Sequence, residues 1–269
     1  MLTDVSSDEL SQLNLFAQYA AAAYCSANIG STGTALTCDE GICPEVEEAS
    51  TTTLYEFDES STYGDVTGFL AVDTTNELIV LSFRGSRDIS NWVANLDFVF
   101  SSSTLCDDCE VHSGFWKAWE TVADNLTSYI DSASETYPSY QLIFTGHSYG
   151  AALAALGATS LRNNGYTIDL YTYGQPRVGN TALATYMTDQ GSLWRVTHSD
   201  DIVPRVPPEA LGYTHASPEY WITSGTDVTV TASDITVLEG VGENNGNSGE
   251  SELSILAHGW YFVYIDGCA

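Results

Sequence analysis

The sequence predicts a single α/β domain whose mostly parallel β-sheet is covered by helices on both faces. Strand-like and helix-like segments alternate along most of the chain, and no linker divides its 269 residues. Such alternation favours parallel strands that are joined by crossover helices. A chain of this length can also bury a sizeable hydrophobic core. We therefore expect residues 1–269 to form one domain.

The individual elements follow from local composition. Asp8–Tyr24 lacks Pro and Gly and is rich in Ala and Leu, which predicts a helix, and the Gly/Ser/Thr-rich residues 25–43 predict a loop. Apolar runs bounded by turn residues then predict strands. The predicted strands and helices that follow are strand Val66–Val72, strand Leu78–Phe83, helix Phe115–Thr136, strand Gln141–Phe144, helix Ala151–Asn163, strand Ile168–Tyr173, helix Ala182–Met187 and strand Leu193–Thr197. The Gly- and Asn-rich stretch Gly240–Gly249 predicts a mobile surface loop.

The composition excludes several classes of protein. Seven Lys and Arg residues stand against 36 Asp and Glu residues, which gives a formal net charge of −29. Such a surface repels nucleic-acid phosphates and strongly anionic membranes. No stretch approaches the roughly 20 apolar residues that a membrane-spanning helix needs. We therefore expect neither a nucleic-acid partner nor a transmembrane segment.

An even number of cysteines predicts disulfides, and disulfides predict a secreted protein. The alternative is a cytosolic protein with free thiols. The N-terminus shows no basic segment followed by an apolar one, so we expect a mature secreted form. Asn125-Leu-Thr127 also matches the pattern for N-glycosylation. The six cysteines are Cys25, Cys38, Cys43, Cys106, Cys109 and Cys268.

The run Cys106-Asp-Asp-Cys109 contains half of a zinc-binding pattern, but no second pair has matching spacing. The two aspartates between the cysteines raise the thiol pKa and so disfavour redox chemistry. A small loop closed by a disulfide fits this run better. The sequence therefore predicts neither a metal nor a cofactor.

The run Gly146-His-Ser148-Tyr-Gly150 matches the pattern Gly-x-Ser-x-Gly. The pattern alone is weak, because an ordinary turn between two glycines would also match it. Here the apolar run 142–144 precedes it and an Ala- and Leu-rich helix follows, as in a tight strand-to-helix turn that exposes a nucleophilic serine. The N-terminus of that helix would stabilise a developing oxyanion. Ser148 is therefore the candidate nucleophile.

A serine nucleophile needs a histidine base and a carboxylate that orients it. In folds with this turn, the acid follows the serine along the chain and the histidine comes last. Of the five histidines, only His258 lies well past a plausible acid. Asp200 and Asp201 both follow the last predicted strand, and their chemistry does not separate them.

These motifs, together with Tyr173-Gly-Gln-Pro-Arg-Val-Gly-Asn180 and Arg195-Val-Thr-His-Ser-Asp-Asp201-Ile-Val-Pro, resemble the filamentous-fungal class 3 lipases. The likeness is greatest to the Thermomyces-type triacylglycerol lipases and extends over nearly the whole chain, including residues 13–25 and 79–86. Feruloyl esterases and phospholipases A1 share the same core motifs. The resemblance implies an α/β-hydrolase fold.

The resemblance also implies roles for particular residues. It makes Ser148 the nucleophile, His258 the base and Asp201, rather than Asp200, the acid. Ser86 and the backbone N–H of Tyr149 match the oxyanion-hole positions, although leucine is usual where this chain has Tyr149. Gln175, where alanine is common, is a second departure. The implied disulfides are Cys25–Cys268, Cys38–Cys43 and Cys106–Cys109.

The segment after Ser86 carries an apolar stripe. Ile89, Trp92, Val93 and Leu96 recur at helical spacing, whereas the residues between them are mostly polar. Such a stripe usually marks core packing. Its position beside the oxyanion hole, and the resemblance, instead predict a lid at about residues 86–96. It would cover the site in water and place Trp92 in a lipid interface.

Together these features predict a secreted, monomeric triacylglycerol lipase that acts at an oil–water interface through an acyl-enzyme. Its expected partner is a lipid ester. A phospholipase A1 and a feruloyl or other carboxylesterase are the alternatives within hydrolases. A non-catalytic binding protein with the same fold is the alternative outside them.

Overall fold

The computed structural model describes residues 5–61 and 63–269 and is built around an eight-stranded sheet. Residues 1–4 and 62 of the predicted domain lie outside the described part. The strands lie side by side in chain order. They are β1 (Thr52–Ser61), β2 (Gly64–Asp73), β3 (Leu78–Phe83), β4 (Gln141–His147), β5 (Asp169–Tyr173), β6 (Leu193–His198), β7 (Glu219–Ile222) and β8 (Ile235–Leu238). Strands β3 to β7 run parallel, whereas β1, β2 and β8 pair antiparallel with their neighbours.

Helices cover both faces of this sheet. Leu142 and Phe144 of β4 pack into one hydrophobic cluster with helices α4 (Ser113–Thr136) and α5 (Tyr149–Asn163). Ile143 packs into a second cluster with helix α1 (Ser7–Ala22). Alternate residues of the same strand are therefore buried on opposite faces. The α-helices are α1 (Ser7–Ala22), α2 (Pro44–Glu48), α3 (Ile89–Asn95), α4 (Ser113–Thr136), α5 (Tyr149–Asn163) and α6 (Thr181–Gln190). The predicted α/β-hydrolase fold is confirmed.

Short elements complete the fold around the edge of the sheet. A four-stranded sheet contains Phe100–Ser102, Glu110–His112, Gly179–Asn180 and Tyr213–Thr214, and Trp260–Tyr261 pairs with Val263–Tyr264. Single 3₁₀ turns lie at Ser26–Asn28, Asp39–Gly41, Val203–Arg205, Glu209–Leu211, Ala232–Asp234, Asn247–Gly249 and Leu256–Gly259. None of the helices described is both long and apolar enough to cross a membrane.

Three disulfides join the same pairs that the resemblance implies: Cys25–Cys268, Cys38–Cys43 and Cys106–Cys109. The first connects residues 243 positions apart. It attaches the C-terminal segment, which carries His258, to the end of α1. The base-bearing segment is thereby fixed to the body of the domain.

One prediction about a loop is wrong in part. The stretch Gly240–Gly249 is not simply a surface loop, because Asn247 within it is fully buried. The neighbouring Asn244 and Asn245 are exposed, as expected. The buried amide is held by several hydrogen bonds that composition alone does not reveal.

Candidate active site

Strand β4 and helix α5 place Ser148 in a tight turn. Ser148 has φ 57° and ψ −126°, a strained conformation between the last strand residue and the first helix residue. A Cβ atom built on Gly150 would lie 2.2 Å from the carbonyl oxygen of Phe83. Only glycine fits there, because the backbone of the neighbouring strand passes so closely. The structure thus contains the strand-to-helix turn that the motif predicts.

The carboxylate of Asp201 contacts the ring of His258. His258 Nδ1 lies 2.8 Å from Asp201 Oδ2, and both side chains are buried. The Tyr261 hydroxyl donates to the same oxygen, while Oδ1 accepts the Val203 N–H at 2.8 Å. These three bonds fix the carboxylate. Asp200, by contrast, is half-buried and meets this region through its backbone carbonyl, which accepts the Ser254 N–H.

The contact with Asp201 orients the His258 ring. Because Nδ1 donates to the carboxylate, Nε2 is left as the proton acceptor of a neutral imidazole. Ser148 Oγ and His258 Nε2 are both buried, and neither has a hydrogen-bond partner within the described residues. Serine–histidine bonds in empty sites often tighten only when substrate binds. The arrangement therefore provides an oriented base and an unpartnered hydroxyl in one site.

The predicted oxyanion segment lies directly against Ser148. A Cβ atom built on Gly85 would lie 2.9 Å from Ser148 Cβ, so the chain just before Ser86 touches the serine. Tyr149 is the first residue of α5, where a backbone N–H has no partner within the helix. Such N–H groups, at the positive end of a helix, stabilise negative charge on a carbonyl oxygen.

A cavity of about 600 Å³ opens beside this site. Its wall includes Ser86, Trp92, Leu96, Phe115 and Tyr149. A second cavity of about 260 Å³ shares Ser86, Trp92 and Tyr149 with the first. Polar side chains, among them Asp88, Asn91 and Lys117, line the larger cavity together with these apolar ones. The apolar part of the wall suits an acyl chain that leads to a reacting carbonyl.

Helix α3 spans most of the predicted lid. The four stripe residues Ile89, Trp92, Val93 and Leu96 are half-buried, and none of the helix is fully buried. The Trp92 ring stacks on Phe115 at 6.2 Å and meets Tyr149 edge-on at 6.4 Å, measured between ring centroids. Trp92 and Leu96 thus pack against the hydrophobic cluster that contains Phe115 and Tyr149, and Ser148 has no exposed surface.

The other four histidines have different partners. His147 Nδ1 lies 2.7 Å from the Tyr24 hydroxyl, and Nε2 lies 2.9 Å from the His258 carbonyl oxygen. Burial, together with the neighbouring His258, holds the pKa of His147 well below its usual value. His198 binds two backbone carbonyls, and His112 and His215 each bind one. His258 is the histidine that meets Asp201.

The predicted glycosylation site lies away from this site, on the surface. Asn125 is exposed, but it lies within helix α4 rather than in a loop, and its glycosylation stays a prediction. No group of His, Cys, Asp or Glu side chains suited to a metal ion occurs in the part of the chain that is described. Tyr261 and Asn247 are the residues near the site that sequence reasoning missed. Only the fold brings them to the loop that carries Asp201.

Comparison with known proteins adds independent support. The family model for lipase (class 3) matches residues 80–211, and the model for the lipase 3 N-terminal region matches residues 2–55. A secreted mono- and diacylglycerol lipase A from Penicillium cyclopium is 46% identical over 98% of this chain and 88% of its own length. A mono- and diacylglycerol lipase structure from Aspergillus oryzae has a TM-score of 0.93 at 41% identity, covering 98% of this chain and 99% of the other. A triacylglycerol lipase structure, described as having a serine protease triad at its catalytic centre, has a TM-score of 0.86 at 31% identity over the full length of both chains.

Proposed function

This chain belongs to the class 3 lipase family of filamentous fungi, and from that premise we propose that it is a secreted lipase in which Ser148, His258 and Asp201 hydrolyse acylglycerol esters. The observation that carries the proposal is the 2.8 Å contact between His258 Nδ1 and the buried Asp201 carboxylate, beside the strained turn of Ser148. Strain and burial of this kind are typical of a preorganised catalytic site.

In the proposed reaction, His258 Nε2 takes the Ser148 proton while Ser148 Oγ bonds to the ester carbonyl carbon. The N–H groups of Ser86 and Tyr149 stabilise the oxyanion of the tetrahedral intermediate. The intermediate collapses as His258 returns its proton to the glycerol oxygen, which leaves as an alcohol. Water, deprotonated by His258, then attacks the acyl-enzyme. The bond to Ser148 Oγ breaks as Oγ takes that proton back from His258, and the fatty acid is released.

Asp201 supports both steps through His258. Its carboxylate holds the imidazole in the required tautomer and stabilises the imidazolium that forms in each transition state. The hydroxyl of Tyr261 and the N–H of Val203 keep the carboxylate in place. Burial raises the pKa of Tyr261 well above its usual value, so this hydroxyl stays protonated and donates.

The preferred substrates that we propose are mono- and diacylglycerols. The relatives from Penicillium cyclopium and Aspergillus oryzae carry that description and are 46% and 41% identical to this chain. Triacylglycerol, expected from the sequence motifs, is the second candidate. It is supported by the triacylglycerol lipase structure at 31% identity.

We further propose that α3 is a lid that opens at a lipid surface. Its apolar stripe packs over the site without becoming fully buried, so little core packing is lost when it moves. Leu253, Ile255 and Leu256, just before His258, are exposed by 58%, 41% and 82%. Exposed apolar side chains close in sequence to a catalytic residue are suited to contact with lipid.

Secretion and a single-domain organisation complete the proposal. The relatives from Penicillium cyclopium and Fusarium solani are described as secreted. All six cysteines are paired in disulfides, which persist in oxidising compartments. The central sheet and its two hydrophobic clusters run through the whole described chain, as in one domain.

A substrate panel tests the proposal. Initial rates are measured on emulsified mono-, di- and trioleoylglycerol, on phosphatidylcholine and on methyl ferulate, with Ser148→Ala as the background for each. We expect the highest rates on the mono- and diacylglycerols. The highest rate on trioleoylglycerol would favour the second candidate. A preference for phosphatidylcholine or methyl ferulate would replace the lipase assignment with a phospholipase or an esterase.

A further inference from the structure

Asn247 holds the loop that carries Asp201. Its Nδ2 donates to the carbonyl oxygen of Ser199 at 3.0 Å and to that of Asp201 at 2.9 Å. The side chain is fully buried although it comes from a Gly- and Asn-rich stretch. One amide group therefore links the residues on both sides of Asp200.

Asn247 is itself fixed by neighbouring charged groups. Its backbone N–H donates to Glu219 Oε1 at 3.1 Å, and its backbone carbonyl oxygen accepts a hydrogen bond from the Arg205 guanidinium. Glu219 is buried and pairs with the equally buried Arg195 at 3.3 Å. Because a buried ion pair is held by its mutual attraction and by further hydrogen bonds, it forms a rigid support. The backbone of Asn247 is thus fixed against the Glu219 side chain of β7.

The loop that Asn247 holds is conformationally strained. Ser199 has φ 42°, in the left-handed region that side chains other than glycine rarely adopt. Such a conformation persists only where surrounding contacts impose it. The backbone of the same loop also bonds to Ser254. The Ser254 N–H donates to the Asp200 carbonyl oxygen at 2.9 Å, and the Ile202 N–H donates to the Ser254 carbonyl oxygen at 3.2 Å. On the strained side of the loop, the Ser199 carbonyl oxygen accepts from Asn247 Nδ2 and also from the Trp221 indole N–H, each at 3.0 Å. The Asp201 carbonyl oxygen accepts from the same Asn247 amide.

We propose that Asn247 is a positioning residue for the acid of the triad. It holds the backbone of residues 199–201 so that the Asp201 carboxylate faces His258 Nδ1. This inference rests on the proposed role of Asp201. Loss of a group that orients a metal-binding side chain typically lowers affinity or activity by about 10- to 100-fold, and Asn247 orients the Asp201 loop in a comparable way. We expect a loss of that size in the turnover number when Asn247 loses its amide.

The test compares Asn247→Ala and Asn247→Ser with the control Asn244→Ala. Asn244 lies in the same stretch, but it is exposed, and no contact of its side chain with the Asp201 loop is present. Hydrolysis of soluble p-nitrophenyl butyrate gives kcat and KM. The concentration of competent sites is measured by titration with a p-nitrophenyl phosphonate, which removes any loss due to misfolding. The NMR resonance of the proton between His258 Nδ1 and Asp201 reports on that contact.

For Asn247→Ala we expect kcat per titrated site to fall by about 10- to 100-fold, with KM within about twofold of the parent value. The resonance of the His258 proton should shift. In Asn247→Ser the hydroxyl can donate one hydrogen bond, so kcat per titrated site should fall less than in Asn247→Ala. The control Asn244→Ala should keep the kcat and KM of the parent. If kcat per titrated site stays within twofold in both Asn247 variants, the inference is wrong. Activity that survives in Ser148→Ala would instead overturn the proposed function itself.

Discussion

Tyr149 follows Ser148, the proposed nucleophile, and its side chain contacts helix α3, the proposed lid. Its hydroxyl donates to the Tyr63 carbonyl oxygen at 3.2 Å, and its ring meets Trp92 and Phe115 edge-on at 6.4 Å and 5.9 Å. Burial raises the pKa of the hydroxyl, so it remains a donor. The backbone N–H of Tyr149 is the proposed oxyanion donor, whereas its side chain contacts Trp92 of the proposed lid.

The contacts of Tyr149 predict an effect on lid closure. In Tyr149→Leu the edge-on contact with Trp92 of the proposed lid is lost, which is worth about 0.5–1.5 kcal/mol. The closed lid is destabilised, so the rate on dissolved tributyrin should rise several-fold relative to the rate on its emulsion. Tyr149→Phe keeps the ring contacts and should change this ratio less. Equal ratios in the parent and in Tyr149→Leu would show that the side chain does not hold the lid.

Much of the site could be predicted from single residues, but their contacts could not. The motif around Ser148 and the chain order that selects His258 are local signals. Asp200 and Asp201 are chemically alike, and only the fold turns one of them toward His258. Tyr261 and Asn247 reach the Asp201 loop from 60 and 46 residues away in sequence. Such contacts depend on tertiary packing, which local patterns do not encode. The catalytic roles themselves stay predictions.

Among the secondary-structure elements, the central ones were easiest to predict. Strands β3 and β4 are buried on both faces, and each contains an unbroken apolar run, at residues 78–81 and 142–144. Three edge-region strands, β1, β7 and β8, were not predicted. Strand β1 pairs with another strand on one side only, apart from a single bridge between Thr52 and Ala35, and it carries acidic residues that contact solvent. Strand β7 begins at the buried Glu219, which Arg195 neutralises, and the sequence does not reveal that partner.

We expect the apolar side of helix α3 to contact the lipid surface through Trp92. Removing the indole in Trp92→Ala takes away apolar area worth about 2 kcal/mol when it is buried in an interface. The rate on emulsified long-chain acylglycerol should therefore fall about 30-fold relative to the rate on a dissolved short-chain ester. Ser90→Ala, on the exposed side of the same helix, is the control. A parallel change in both rates would argue against interfacial contact by α3.

At the scale of the whole molecule, buried histidines make stability depend on pH. Burial lowers the pKa of His112, His147 and His215 below the usual value. Below about pH 6.5 the unfolded chain therefore binds protons that the folded chain excludes. The free energy of unfolding should fall as the pH drops from 7.5 to 5.5. Each such histidine contributes at most about 1.4 kcal/mol per pH unit.

His215→Gln isolates one contribution. His215 is not part of the proposed triad, and its Nε2 lies 2.6 Å from the Pro204 carbonyl oxygen. The amide of glutamine can replace that contact without titrating. Denaturant unfolding at several pH values should show a shallower pH dependence in this variant, even if its stability at pH 7.5 is lower. An unchanged slope would mean that His215 does not titrate differently in the two states.

The net charge of −29 also acts on the whole molecule. Arg177 and Arg195 form ion pairs with Glu209 and Glu219, whereas Arg162 and Arg205 mainly bind backbone carbonyls. The few cations therefore stabilise the fold and leave the acidic surplus on the surface. A negative surface favours the departure of a fatty-acid carboxylate after hydrolysis.

The central claim is that Ser148 attacks the ester carbonyl, and the hydrolysis rate of Ser148→Ala on emulsified dioleoylglycerol tests it most directly. The substitution removes one oxygen from a buried site, and an unfolding transition like that of the parent shows that the fold is kept. We predict a rate lower by about 10³-fold or more, because the nucleophile and its acyl-enzyme are lost. A Ser148→Ala protein that hydrolyses dioleoylglycerol at a rate near that of the parent would contradict the account.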